Sequence, residues 1–227
     1  MIKIIDTKEN SAKKNMQIDL ELLNNLKDKS ILHFYEFEKK SFTFGHFINI
    51  EKYINLNILN DFDIDFAKRP TGGGIVFHIW DIAFSFLMPR NHKSFFLDPL
   101  KNYEFVNNLT LNAIDEFLNK SFFLKEEIKN KNTILDNFCM AKPTKFDLIY
   151  KNKKILGAAQ RRKKNGYLHQ ASICLVKPDI ELLNKIIKEK EVVEGILNSS
   201  FAIFNNQNIN ENREKVKKNI LNSFKNL

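Results

Sequence analysis

Lys68-Arg69-Pro70-Thr71-Gly72-Gly73-Gly74-Ile75-Val76-Phe77-His78 places three of the chain's seven glycines in succession. Glycine lacks Cβ, so its backbone N–H groups can come close to a ligand and φ can turn positive. An arginine just before such a loop points to an anionic ligand, because a guanidinium forks onto carboxylate or phosphate. A tight turn between strands is the plainer reading of the same residues, and this stretch alone leaves both open.

Working outward, residues 62–66 read as a short strand leading into the loop, and residues 75–78 and 82–88 read as a hairpin pair around Trp80-Asp81. Upstream, residues 15–27 have apolar positions at helical spacing, 31–38 and 41–48 alternate as strands, and 50–59 reads as helical. Downstream, 103–118 predicts a long amphipathic helix, and 146–150 with 154–160 a hairpin around Lys151-Asn152-Lys153. Residues 168–176 follow as a strand, then helical segments over 181–190, 191–198 and 210–224. The pattern is α+β, with hairpins in the middle and helices around them. No strand-to-helix GxGxxG and no GxxxxGK[ST] is present, so any bound nucleotide uses neither a Rossmann nor a Walker loop.

A chain of 227 residues, 43% hydrophobic, is long enough for one large domain or one domain with a small appendage. No apolar run approaches the roughly 20 residues of a membrane span, and residues 1–7 lack the apolar core of a signal peptide. Two cysteines make no disulfide framework, so a reduced, cytoplasmic setting is expected, with no membrane partner. The net charge of +9 fits nucleic acid, a membrane surface or an acidic protein. The lysines are scattered through a chain rich in Lys, Asn, Ile and Phe, without basic tail, zinc-finger spacing or RNA-binding signature, so nucleic acid is not the expected partner.

A second constellation runs from Cys139 through Lys154-Ile155-Leu156-Gly157-Ala158-Ala159-Gln160-Arg161-Arg162 to Leu168-His169-Gln170-Ala171-Ser172. Gly157, Ala158 and Ala159 leave room beside a strand for a ligand or another backbone. A solvated basic hairpin with a small-residue packing seam is the plainer alternative.

Taken together, the two segments resemble the lipoate–protein ligase A family. The glycine loop is similar to that family's R-R-x-[ST]-G-G-G-A-V-x-H, and the later run to its G-x-K-[IV]-x-G-x-A-Q-x-R with a following L-H-x-[GA]-[ST]. Gly45-His46 fits an early family turn loosely. The resemblance covers roughly residues 30–176. It implies a central, mostly antiparallel sheet flanked by helices, as in biotin and lipoate protein ligases. It also implies a single catalytic domain over 1–227, whose helical part, 177–227, is no full accessory domain.

The resemblance further implies attachment of a lipoyl or octanoyl group to a lysine of a lipoyl carrier domain, on an E2 subunit or a glycine-cleavage H protein. The acyl chain is expected in an apolar tunnel that phenylalanines could line. Arg69, Thr71, Gly72, Gly73, Gly74, Val76, His78, Gly157, Ala159, Gln160 and His169 are the implied binding residues. Lys154 and Cys139 are the implied catalytic ones. The central expectation is that loop 69–78 and the Lys154 ammonium meet across one cavity.

Two chemistries are open. A ligase uses lipoate, ATP and Mg²⁺ to form lipoyl-adenylate, with Arg69 at the adenylate and Lys154 on its oxygens; no metal-ligand set is read from the sequence. A transferase takes octanoate from octanoyl-acyl carrier protein onto Cys139 as a thioester, helped by Lys142, Lys145 and Lys154, upstream of Pro143 and Phe146-Asp147. Gly74 favours the ligase, by leaving space for a phosphate. The short turn after His78, without the Asp that ligases carry next to this His, favours the transferase. The ligase is the leading expectation. Cys174, in an apolar strand, reads as core. Outside these chemistries, a biotin ligase fits the Lys154–Arg162 run less well. A hydrolase built on Cys139 and His169 lacks an acidic orienter, and a non-catalytic carrier-binding protein is the remaining alternative.

Overall fold

A computed structural model describes residues 2–118, 122–124, 134–141, 147–225 and 227. In chain order they form β1 (Lys3–Asn10), α1 (Ala12–Asn24), β2 (Ile31–Phe37), β3 (Lys40–Phe44), β4 (Ile64–Lys68), β5 (Val76–His78), β6 (Asp81–Pro89), α2 (Pro99–Ile114), β7 (Phe122–Leu124), β8 (Leu148–Tyr150), β9 (Lys153–Lys154), β10 (Leu156–Lys163), β11 (Gly166–Cys174), α3 (Ile180–Ile186), α4 (Lys190–Ser199) and α5 (Ile209–Phe224). A five-stranded sheet has the order β1-β2-β6-β11-β10, and two three-stranded sheets have the orders β4-β3-β5 and β7-β8-β9. Pairing is antiparallel except for β1 with β2 and β3 with β4. None of the helices described is long and apolar enough to cross a membrane.

β6 shows how the sequence divides the interior. Every residue of it is buried, so both faces of the large sheet are covered. Phe84, Phe86 and Met88 pack with Val106 of α2 and with Val216, Ile220 and Phe224 of α5. The alternate residues turn to the α1 side, Ala83 beside Ala12 and Met16, Leu87 beside Leu23, as the two-residue period of a strand requires. Each fully buried Phe, Leu or Ile contributes ~1.5–3 kcal/mol, enough that a one-residue slip of β6 is prohibitive. A second apolar cluster joins Phe42, Ile54, Ile75 and Phe138 to Leu183 of α3 and to Val192 and Ile196 of α4.

Local signals place the helix starts. Ser11 caps α1 by accepting from Lys14 N, and the Asp65 carboxylate accepts from Ala12 N at 2.7 Å, tying α1 to β4. Asp98 with Pro99, Asp179 and Asn208 do the same for α2, α3 and α5.

The structure departs from the sequence expectation in four places. Residues 75–78 and 82–88 form no hairpin: β5 pairs with β3, whereas β6 pairs with β2 and β11. Ile79-Trp80 carries the chain from one sheet to the other, and the Trp80 carbonyl accepts from Leu175 N and Val176 N. Residues 50–59 make separate 3-10 turns, 50–52 and 56–58, not one helix. Asn49 diverts Glu51 N to its own side chain there, the competition that keeps Asn at helix ends. The Lys151-Asn152 hairpin is real, with both residues at positive φ. Its second strand, however, breaks at Ile155: β9 stays with β8, and β10 enters the large sheet. Finally, β1 had no counterpart in the expectation, because an edge strand this exposed lacks an apolar alternation.

Candidate active site

The glycine loop is held from inside by Arg69. Its guanidinium is buried and donates to the Gly72 and Gly74 carbonyls, at 3.0 and 2.6 Å, and to Thr43 Oγ1 at 2.9 Å. Burial pulls its pKa down to about 10, so it stays charged at neutral pH. Because Thr43 Oγ1 accepts from Arg69, its own proton goes to His78 Nε2, 2.8 Å away. That leaves His78 Nδ1–H to donate to Asp81 Oδ2 at 2.8 Å, which also accepts from Ser172 Oγ.

A second buried relay holds Thr71. Its hydroxyl donates to Gln170 Oε1, and Gln170 Nε2 donates to Asp19 Oδ2, both at 2.6 Å. Asp19 also receives Ser85 Oγ at 2.6 Å and His33 Nδ1 at 2.8 Å. These bonds fasten one shoulder of the loop to α1, β2, β6 and β11.

The other shoulder is fastened to the Cys139 segment. Ile75 N donates to Asn137 O at 2.7 Å and Cys139 N to Ile75 O at 3.0 Å, a short parallel bridge. The contact is so close that a Cβ on Gly74 would lie 2.5 Å from Asn137 O. Gly157 does the same for the thiol: a Cβ there would lie 2.4 Å from Cys139 Sγ.

Behind the thiol sits Lys154, 1% exposed, with Nζ 3.5 Å from Cys139 Sγ and 2.7 Å from Asp147 Oδ2. Burial works to lower the Lys154 pKa, but the Asp147 carboxylate and then Cys139 outweigh it and hold the ammonium above its usual range. Tyr103 OH donates to Asp147 Oδ1 at 2.9 Å. Burial, reinforced by that carboxylate, pushes the phenol well above its ordinary pKa.

A slot runs between these parts. Arg69, Gly73, Val76 and His78 line one side, and Cys139, Gly157, Ala158, Ala159 and Ala171 another, with Met16 and Tyr35 also in the wall. Loop 69–78 and Cys139 face this slot, whereas Lys154, expected to face the loop across the cavity, does not line it and lies behind the Cys139 thiol. Among the described residues, no phenylalanine lines this slot; the apolar surface is supplied by Met, Tyr, Val and Ala.

Several expected residues fall elsewhere. His169 turns to the opposite sheet face, where it packs on Tyr103 and its Nδ1 bonds Tyr167 OH at 2.9 Å. Burial drops its pKa to about 3, so it is a neutral core histidine. Gln160 pairs with His169 in the ladder and is absent from the slot wall, as is Gly72. The glutamine that reaches the loop is Gln170. Arg69, expected at the adenylate, spends its guanidinium on the loop carbonyls and Thr43. Lys142, Pro143, Lys145 and Phe146 lie outside the described residues. Cys174 is buried, and desolvation with Asp81 nearby pushes its thiol up to about 12. Asp19, Asp81, Asp147, Thr43 and Gln170 were not singled out in the sequence as site residues. Acidic side chains in apolar segments are the signal that could have found Asp19 and Asp81. Among the described residues, no three His, Cys, Asp or Glu gather as a metal site.

The family model of the lipoyl protein ligase A/B catalytic domain matches residues 11–225. The chain belongs to this family. Within it, the octanoyltransferase LipM of Bacillus anthracis is 27% identical over 198 residues, covering 83% of this chain and 70% of that protein. LipM of Clostridioides difficile is 28% identical over 197 residues, with the same coverage of 83% and 70%. Among solved structures, a lipoate-protein ligase A bound with ATP superposes with a TM-score of 0.73 at 23% identity, covering 99% of this chain and 86% of that one. A bi-partite lipoate protein ligase of Thermoplasma acidophilum, described with its E2 lipoyl domain, gives 0.70 at 21% identity, covering 99% and 84%. These ligase structures establish the lipoyl protein ligase A/B fold of the chain. It is an enzyme of the lipoate ligase and octanoyltransferase family.

Proposed function

We propose that this protein is a cytoplasmic octanoyltransferase. It moves an octanoyl group from octanoyl-acyl carrier protein to a lysine of a lipoyl carrier domain, on an E2 subunit or a glycine-cleavage H protein, through a thioester on Cys139. The observation that carries the reading is the thiol in the slot wall with the Lys154 ammonium 3.5 Å behind it.

The Cys139 thiolate attacks the carbonyl carbon of the donor thioester. A new C–S bond forms as the bond to the carrier's pantetheine sulfur breaks, and that sulfur leaves as a thiolate and takes up a proton. The neutral amine of the acceptor lysine then attacks the Cys139 thioester. The amide bond forms, Cys139 leaves as a thiolate, and the amine's surplus proton is lost to water. In both halves negative charge builds on the oxygen and sulfurs of the reacting thioester. A buried ammonium, held charged by Asp147, opposes the charge on Cys139 without reorganising. Met16, Val76 and Ala159 give the acyl chain an apolar wall. Acidic carriers suit the +9 charge.

This reverses the order of the two chemistries expected from the sequence. The space that the sequence expectation assigns to a phosphate at the third glycine holds the Asn137 carbonyl, and Gly74 serves the bridge to Cys139. The carboxylates buried around the slot do not suit a resident Mg²⁺: Asp147 is ion-paired, and Asp19 and Asp81 are taken up by hydrogen bonds. The LipM relatives support the same order.

Intact-mass measurement after incubation with octanoyl-acyl carrier protein, without ATP, tests the proposal. An octanoyl adduct is expected on the wild type and not on Cys139→Ser. Absence of the adduct together with lipoate- or octanoate-dependent ATP–pyrophosphate exchange would return the reading to the ligase.

A further inference from the structure

The slot has a definite length. At one end Gly157 lies against Cys139 Sγ, and two residues farther along β10 comes Ala159. Ala159 is paired with Gln170 of β11, whose Nε2 lies 3.3 Å from Met16 Sδ. Two residues of antiparallel strand advance ~7 Å. An eight-carbon acyl chain, with C–C bonds of ~1.5 Å in zigzag, spans roughly 9 Å. A chain bound to Cys139 and running along β10 brings its methyl end level with Met16.

Beyond Met16 the space opens again. An open groove is lined by Leu20, Phe44, Phe66, Ala67, Pro70 and Arg161, among others. Met16 and Arg69 belong to the walls of both slot and groove. Arg69 is fixed by its bonds to Thr43, Gly72 and Gly74. Met16 is 4% exposed and packs among Ala12, Tyr35, Ala67 and Ala83, so most of its neighbours are too small to replace it. Of the two described residues shared by slot and groove, Met16 is the flexible one.

We infer that Met16 is the end-stop that sets the acyl chain length the enzyme accepts. The inference rests on the transferase reading above. Removing the thioether joins slot to groove, and the apolar floor of Leu20, Phe44 and Phe66 receives the additional methylenes of a longer chain. Enlarging residue 16 shortens the slot.

The test measures the initial rate of adduct formation on Cys139 by intact mass, with hexanoyl-, octanoyl- and dodecanoyl-acyl carrier protein as donors. Wild type, Met16→Ala and Met16→Phe are compared. One methylene in an apolar pocket discriminates ~10–200-fold. Met16→Ala is therefore expected to raise the dodecanoyl-to-octanoyl ratio at least tenfold, and Met16→Phe to lower the octanoyl-to-hexanoyl ratio at least tenfold. Ratios taken within one variant do not depend on how much of it is folded. Adducts that form in all three proteins with ratios unchanged within twofold overturn the end-stop and leave the transferase standing. No adduct from any donor in the wild type overturns both.

Discussion

Gly157→Ala asks whether the thiol's position, beyond its presence, sets the rate. The added Cβ would sit 2.4 Å from Cys139 Sγ, far inside contact distance, with Cys139 Cβ at 3.6 Å. The thiol has one torsion with which to escape, and rotation about it carries Sγ away from its place 3.5 Å from Lys154 Nζ. Alanine is otherwise acceptable in a strand, so stability should fall by no more than about 1 kcal/mol. Activity has more to lose. A hydrogen bond to a charged group is worth ~1.5–3 kcal/mol, and an ångström of misplacement costs ~100-fold in rate. We expect the rate of octanoyl adduct formation to fall ~100-fold while the melting temperature moves by a few degrees at most. Stopped-flow or quenched-flow mass spectrometry with octanoyl-acyl carrier protein, alongside calorimetry, reads both. A variant that acylates within threefold of wild type would refute the argument that Gly157 exists to seat the sulfur.

Four further outcomes follow from the same geometry. Asp147→Asn leaves the buried Lys154 ammonium without its counter-charge, so unfolding should become easier by ~3–5 kcal/mol, read by urea denaturation; an unchanged midpoint would remove the ion pair from the account. The folded Lys154 pKa is raised, so its contribution to stability is complete below the unfolded value of 10.5 and is lost as pH rises through the folded pKa; Lys154→Met should flatten that alkaline limb. His169 has a folded pKa of about 3 against 6.5 when exposed, so the unfolded chain binds the extra proton between those values and stability falls as pH drops from 6.5 towards 3, by roughly 3 kcal/mol between pH 7 and 4; His169→Phe should lose that slope. Gly74→Ala sets a Cβ 2.5 Å from the Asn137 backbone, which cannot rotate aside, so both stability, by ~1–3 kcal/mol, and adduct formation should drop, in contrast to Gly157→Ala.

The two motifs were legible because they depend on backbone chemistry that sequence displays directly. Three successive glycines and a Gly-Ala-Ala run can be seen without coordinates, and both prove to be places where another segment comes within contact distance. β6 was legible as a strand because burial on both faces gives it a near-continuous apolar run. What stayed hidden was pairing at long range. Val76-Phe77-His78 looks the same whether it folds back on β6 or joins β3, and only Thr43 waiting for His78 decides it. Gln160 and Gln170 are both polar residues in strands near small neighbours. Which one faces the loop depends on sheet face, which a one-residue shift inverts. Asp147 stood in plain view beside Phe146, but its meaning comes from Lys154, seven residues on and across a hairpin.

In the proposed reaction Cys139 carries a true intermediate on the way to the carrier lysine. Octanoyl-enzyme purified away from its donor and mixed with an unmodified lipoyl domain, with no ATP present, isolates that step. The prediction is that the octanoyl mass leaves the enzyme and appears on the domain's lysine at matching rates, and that the freed enzyme can be loaded again. An acyl-enzyme that persists while the domain stays bare, with octanoylation of the domain only when free octanoate and ATP are added, would contradict it.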